Sequence, residues 1–156
     1  MMDRKGIPQG YHSVTPYLIV DGAEAAIDFY AHAFGAKEKM RLPMGEKIAH
    51  AEIVIGDSHV MLSDEWPDMN LLSPAKRGGA TSSLMIYLGD VDAAFEQAIK
   101  AGATVERQPE DQFWGDRMGT VVDPFGHRWT LSTQIRDVPP QEMEEKMKAW
   151  SSEMAN

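Results

Sequence analysis

The chain repeats itself. Ala25–Phe29 (AAIDF) aligns with Ala93–Gln97 (AAFEQ) at a spacing of 68 residues, and the same offset carries Thr15 onto Ser83. An offset of 69 carries Met61–Ser63 (MLS) onto Thr130–Ser132 (TLS). A fixed internal period marks one supersecondary unit built twice, and each copy needs the other to bury its open face. This limits the chain to duplicated architectures before any residue is assigned a role.

The unit can be read from its pattern. Val14–Val20 (VTPYLIV) is β-branched and aromatic, which suits a pleated, half-buried surface. Pro16 has no N–H to donate, so this strand belongs at a sheet edge or turns that nitrogen away from its neighbour. Ala26, Ile27, Tyr30, Ala33 and Phe34 then recur at helical spacing, with Asp21 as the expected cap and Gly35 as the left-handed stop. Ala36–Leu42, Lys47–Ile55 and His59–Ser63 follow as strands, the last two joined by a turn at Gly56-Asp57. Residues 64–79 lack a period and carry Pro67, Pro74, Gly78 and Gly79, so they read as a long loop. The order then recurs. Ser83–Leu88 is a strand, Asp90 caps a helix that Gly102 stops, and Ala103–Arg107, Met118–Asp123 and His127–Thr133 are strands. Asp123-Pro124-Phe125-Gly126 is a turn signature.

The expected fold is therefore α+β. Tandem βαβββ modules form a curved, half-open antiparallel sheet cleft with helices outside, plus a C-terminal helix. Residues 1–12 form a flexible arm, and 13–136 the domain, with module one at 13–66 and module two at 81–133. Residues 137–156 form the C-terminal helix and tail, whose Met143, Met147 and Trp150 share one face and are expected to pack on the body or on a second subunit.

Composition removes several function classes. There is no Cys, which excludes thiolate metal sites, iron–sulfur clusters and Cys nucleophiles. The 24 acidic and 15 basic residues leave a net charge of −9, a field that repels phosphate backbones and anionic membrane surfaces. No stretch reaches the roughly 18 apolar residues of a membrane span. MMDRKGIPQG has no apolar core behind its charges, so it is not read as a secretory signal. A cytoplasmic protein with a small-molecule ligand and no nucleic-acid or membrane partner is expected.

The start VTPYLIVDGAEAAIDFYAHAFGA and the ending FWGDRMGTVVDPFGHRWTLS, on tandem βαβββ units, resemble the vicinal oxygen chelate superfamily. That superfamily includes glyoxalase I, extradiol dioxygenases, fosfomycin-resistance enzymes and bleomycin-resistance proteins. AHAEIVIGDSHVMLSDEWP and FWGDRMGTVVDPFGHRW are similar to its PhnB-like branch. The resemblance covers about residues 13–133. It implies a cleft between the modules and, on family tendency, a homodimer.

It also implies four metal seats, filled in metal-binding members by His and Glu. Carried onto this chain they fall at Thr15, Met61, Ser83 and Thr130. A neutral hydroxyl is a poor ligand and a thioether prefers soft Cu(I), so no superfamily-type metal centre and no cofactor are expected. A slip of one residue does not help, because it turns the substituted side chain to the opposite sheet face.

Other candidate groups follow from residue type. His50, alternating with Glu52 on one strand face, is the candidate proton carrier, since an imidazole titrates near neutrality. A simple pocket or structural role for His50 stands beside that reading. Trp66, Phe113, Trp114 and Arg117 are the candidate ligand-binding residues. The aromatics serve as walls or lid, or alternatively as core. Arg117 serves as an anion clamp, or else pairs with Asp116 or Asp123. His127 reads as a turn-stabilising residue. Asp64 and Glu65 either bind a cation at the cleft mouth or are simply solvated. Three functions stay open: a metal-independent binding protein, as bleomycin-resistance proteins are; an enzyme using His50; and a non-catalytic structural dimer. Methyl transfer, a label attached to the PhnB-like branch, gets little support, because no glycine-rich nucleotide loop follows a strand.

Overall fold

The structure is a computed structural model that describes residues 6–156. The first five residues of the expected arm lie outside the described residues. Module one comprises β1 (Tyr17–Val20), α1 (Ala23–Phe34), β2 (Lys37–Met44), β3 (Lys47–Ile55) and β4 (Ser58–Asp64). Two short 3₁₀ turns, Pro67–Met69 and Pro74–Arg77, punctuate the long loop. Module two comprises β5 (Ser83–Tyr87), α2 (Val91–Ala101), β6 (Thr104–Asp111), β7 (Asp116–Val122) and β8 (Arg128–Gln134), and α3 (Pro140–Met154) ends the chain. The sequence order of strand, helix and three strands thus occurs twice.

Each module makes its own four-stranded sheet, β1-β4-β3-β2 and β5-β8-β7-β6. The sheets are mixed. The first strand of each module joins the last in parallel, and the other pairs are antiparallel. β1 is an edge strand, one of the two placements read from Pro16; it begins three residues later than the Val14 boundary, and the Pro16 carbonyl accepts the Met61 N–H at 2.9 Å. β6 is longer than the sequence suggested, because irregular pairing with β7 carries it on to Asp111.

α1 is not capped by Asp21. Gly22 holds the cap position, and the buried Asp64 carboxylate, from the end of β4, accepts the N–H groups of Gly22 (2.9 Å), Ala23 (2.8 Å) and Ile48 (2.7 Å). The helix N-terminus leaves donors unpaired and favours negative charge, so a carboxylate from a neighbouring strand serves as well as a local one. The spacing of 69 carries Asp64 onto Thr133, whose hydroxyl accepts the Val91 N–H at the start of α2 at 3.0 Å. Asp90 caps α2 locally through the Ala93 N–H, as expected. Glu65 is not solvated either. It is buried, accepts the Ser73 N–H at 2.7 Å and pairs with Lys76 at 2.8 Å, which fastens the long loop to the sheet. These two interactions hold its carboxyl down at about 2, the Lys76 contribution being the larger.

α1 and α2 pack against each other, each over its own sheet. The modules are joined by aromatics: the buried Trp129 ring lies 5.4 Å from the buried Tyr30 and 4.8 Å from the half-buried Phe34. Asp123, in the β7–β8 turn, is the polar centre of this joint. It accepts the Tyr30 O–H (2.6 Å), the Trp129 indole N–H (2.9 Å) and the turn N–H groups of Phe125 and His127. Burial, then the Asp123 charge, pushes the Tyr30 phenol well above its usual value. His127 donates from Nε2 to the Ile19 carbonyl at 2.8 Å, so the turn role expected for it also ties module two to the free edge of β1. The Met143, Met147 and Trp150 face of α3 is exposed in the single chain rather than packed on the body. Among the described residues no helix is long and apolar enough to cross a membrane.

Candidate functional site

β1 and β5 share no ladder, and the gap between the two sheets opens as a half-open cleft of about 560 Å³. Its walls are the segment entering β1 (Val14, Thr15, Pro16), the β3–β4 turn (Ile55 to Val60) and β5 (Leu84 to Tyr87), with His12 and Trp129 completing it. Ligand sites typically run from about 300 to 1,000 Å³, with apolar walls and a few placed polar groups. Val14, Pro16, Leu84 and Ile86 supply the first; Thr15, His59 and Tyr87 supply the second.

A second set of polar groups lies on the sheet face of module one that turns away from α1. Alternation along the strands puts Leu18, Ala51, Ile53, Val60 and Leu62 under the helix and leaves Tyr17, His50, Glu52, His59 and Met61 on the opposite side. Tyr17 and His50 are joined at 2.8 Å through Nδ1, and His50 Nε2 stands 3.3 Å from Glu52. An ionised carboxylate only accepts, so Nε2 carries the proton, and Nδ1 accepts from the Tyr17 hydroxyl. Both imidazole nitrogens are thereby committed, and Tyr17 presents the outer end of the chain. The Glu52 carboxyl is held below its usual range by the Tyr11 hydroxyl first, then by His50 and Lys39.

Residues of the N-terminal arm cover this face. The Tyr11 ring stacks on His59 at 4.0 Å, and the Lys39 ammonium sits over the Tyr11 ring at 4.7 Å. Burial, then Glu52, pushes the Tyr11 phenol up to about 12. The Tyr11 hydroxyl is buried against Glu52, and His59 Nδ1 is buried without a partner.

The residues singled out from sequence lie mostly elsewhere. His50 is on the polar face just described. Trp66 caps the end of β4 beneath the Lys47 ammonium at 4.9 Å, and Phe113 and Trp114 stack edge to face at 5.0 Å in the β6–β7 connection. Arg117 spends its guanidinium on Asp92 and Asp111, at 3.0 Å each, rather than on Asp116 or Asp123. None of these five lines the cleft. Tyr11, Tyr17, Lys39, His59 and Tyr87 went unmarked. The signal for Tyr17 and His59 was present: they share the alternation of Thr15 and Met61.

Of the four seats, Thr15 lines the cleft. Met61 lies on β4, Ser83 opens β5, and Thr130 is buried with its hydroxyl 3.1 Å from that of Thr120. Strand register places Tyr17 beside Met61 and Met85 beside Thr130, two residues along from Thr15 and Ser83. With either choice the donors are hydroxyl and thioether groups, which do not fit a hard divalent cation. No three His, Asp or Glu side chains among the described residues are placed to hold a metal.

Comparison with known proteins agrees with the architecture. Residues 10–131 match the Glyoxalase/Bleomycin resistance protein/Dioxygenase superfamily, and the chain belongs to it. An uncharacterized protein of Mycobacterium tuberculosis is 43% identical over 139 residues, covering 86% of this chain and 82% of that one. Protein PA1353 from Pseudomonas aeruginosa superposes with a TM-score of 0.63 at 26% identity, covering 79% of this chain and 98% of the other. A PhnB protein from Bacillus cereus shares the fold, with a TM-score of 0.61 at 18% identity over 78% of this chain and 99% of the other.

Proposed function

We propose that this protein binds a small organic molecule in the cleft between its two modules, without the divalent metal of its metal-dependent relatives. The observation that carries this reading is the cleft itself: about 560 Å³, walled by aliphatic side chains interspersed with polar ones. The negative net charge favours a neutral or cationic ligand over an anionic one. The test is a thermal-shift screen of small organic compounds followed by mass spectrometry of the recovered ligand. A ligand that binds only the folded chain raises its stability. Binding without turnover predicts saturable stabilisation, ligand recovered unchanged, and a weakened effect in Thr15→Trp, which narrows the cleft. Stabilisation unchanged by Thr15→Trp places the ligand elsewhere and refutes the reading.

A second reading, conversion of the ligand, is favoured by one observation: the Tyr17–His50–Glu52 chain is hydrogen-bonded in the order a proton relay needs. There a ligand that extends from the cleft past Pro16 onto the adjacent polar face meets Tyr17, His50 takes the proton from its hydroxyl, and Glu52 holds the imidazole in the required tautomer. Tyr17→Phe and His50→Ala then abolish turnover while leaving ligand affinity within about threefold. Unchanged turnover removes the relay from the mechanism.

A further inference from the structure

The Tyr11 ring occupies a complete aromatic site. It lies on the His59 imidazole at 4.0 Å with planes 26° apart, and the Lys39 ammonium stands 4.7 Å from its centroid. Its hydroxyl is buried beside the Glu52 carboxylate, and His59 Nδ1 is buried unpaired within the same contact. Buried polar groups are ordinarily satisfied, and an orphaned imidazole nitrogen in this contact marks a place built for a better-fitting occupant. The arm's path is specific to this contact. Gly10 has a φ of +83°, and a Cβ there would meet the His59 ring at 2.9 Å, so only glycine lets the backbone pass so close.

We propose that the face of module one bounded by His59, Lys39 and Glu52 is a binding subsite for a planar aromatic ring bearing a hydrogen-bond donor, and that Tyr11 fills it as an internal competitor until such a ligand displaces it. His59 supplies the stacking surface, Lys39 the cation over the ring, and Glu52 the acceptor that reads the donor. His59 also lines the inter-module cleft, so the subsite continues the cleft proposed above as the ligand site, and the inference names the chemistry of that ligand.

The probes are p-cresol and toluene, which differ by one hydroxyl, titrated into the full chain while the Lys39 side-chain resonances are followed. Lys39 is not a cleft residue, so a cleft that takes no ligand leaves this result standing, and failure here leaves cleft binding untouched. Tyr11→Ala is expected to bind p-cresol about tenfold more tightly than the parent, as when the arm leaves the site open only about a tenth of the time. Gly10→Ala, which lifts the arm but keeps the tyrosine, is expected to move in the same direction. Tyr11→Ala prefers p-cresol to toluene, and adding Glu52→Ala, which leaves no acceptor there, removes that preference. Equal affinity of the parent and Tyr11→Ala for p-cresol overturns the competition. Equal binding of toluene and p-cresol by Tyr11→Ala overturns the role of Glu52.

Discussion

Replacing Asp123 by alanine removes the acceptor on which the two modules converge. The carboxylate is buried, and its Oδ2 accepts from the Tyr30 hydroxyl and the Trp129 indole, both rings having essentially no exposed surface. The variant leaves two buried donors unpaired, at about 1–3 kcal/mol each. The Phe125 and His127 N–H groups are only partly buried and can turn to water, so they add less. The expected loss is about 3–5 kcal/mol. For a domain of this size each kcal/mol moves Tm by about 2–4 °C, so the melt falls by about 6–20 °C. Urea unfolding followed by Trp fluorescence gives the free energy directly. The cycle with Tyr30→Phe isolates one arm of the junction, and a coupling of about 1 kcal/mol or more is expected for groups in direct contact. An Asp123→Ala loss below about 1 kcal/mol, or no coupling to Tyr30, refutes the assignment of this carboxylate as the joint.

Three further outcomes follow from the same geometry. Glu65 has a folded pKa near 2, below its unfolded value of about 4.3, so its contribution of about 2–3 kcal/mol is present above pH 5 and is lost as pH falls toward 2; Glu65→Gln flattens stability against pH in that window. Gly115 has a φ of +99°, and a Cβ there would meet the Arg136 carbonyl oxygen at 2.3 Å; Gly115→Ala therefore costs about 2–4 kcal/mol by urea titration, and a neutral result denies the close approach. Trp150 on α3 is about half exposed, so Trp150→Glu changes the unfolding free energy by no more than about 0.5 kcal/mol; a loss above 2 kcal/mol shows that the stripe is packed in solution.

Much of the fold was legible because it is written locally and then repeated. β3 runs over Lys47–Ile55 as its apolar pattern indicated, α2 has the cap and stop read from Asp90 and Gly102, and the matched offsets disclosed the two modules. The cap of α1 was not legible, because Asp64 reaches it from 41 residues away, and only the assembled sheet brings the two together. The site was less legible still. Trp66, Phe113, Trp114 and Arg117 were chosen for residue type, yet an arginine or a large ring finds partners on any surface, and these side chains meet lysine, aspartate or each other. The cleft is walled largely by small and aliphatic residues such as Val14, Pro16 and Leu84, whose types say nothing about ligand binding. Tyr11 lay in a segment taken for a loose arm, and nothing local announces its contact with His59. His50 was found because strand alternation paired it with Glu52; its other partner, Tyr17, depends on how β1 lies relative to β3 across β4.

Where a small molecule lands on the chain is the central question. Amide chemical-shift mapping of the isotopically labelled chain against a library of neutral and cationic organic fragments addresses this directly. Saturable shifts clustered at Thr15, Ser58, Met85 and Tyr87, in protein prepared with no added metal, are the predicted result. Shifts confined to the groove between α1 and α2 around Phe29 and Phe125, or binding that requires a divalent cation, would contradict it.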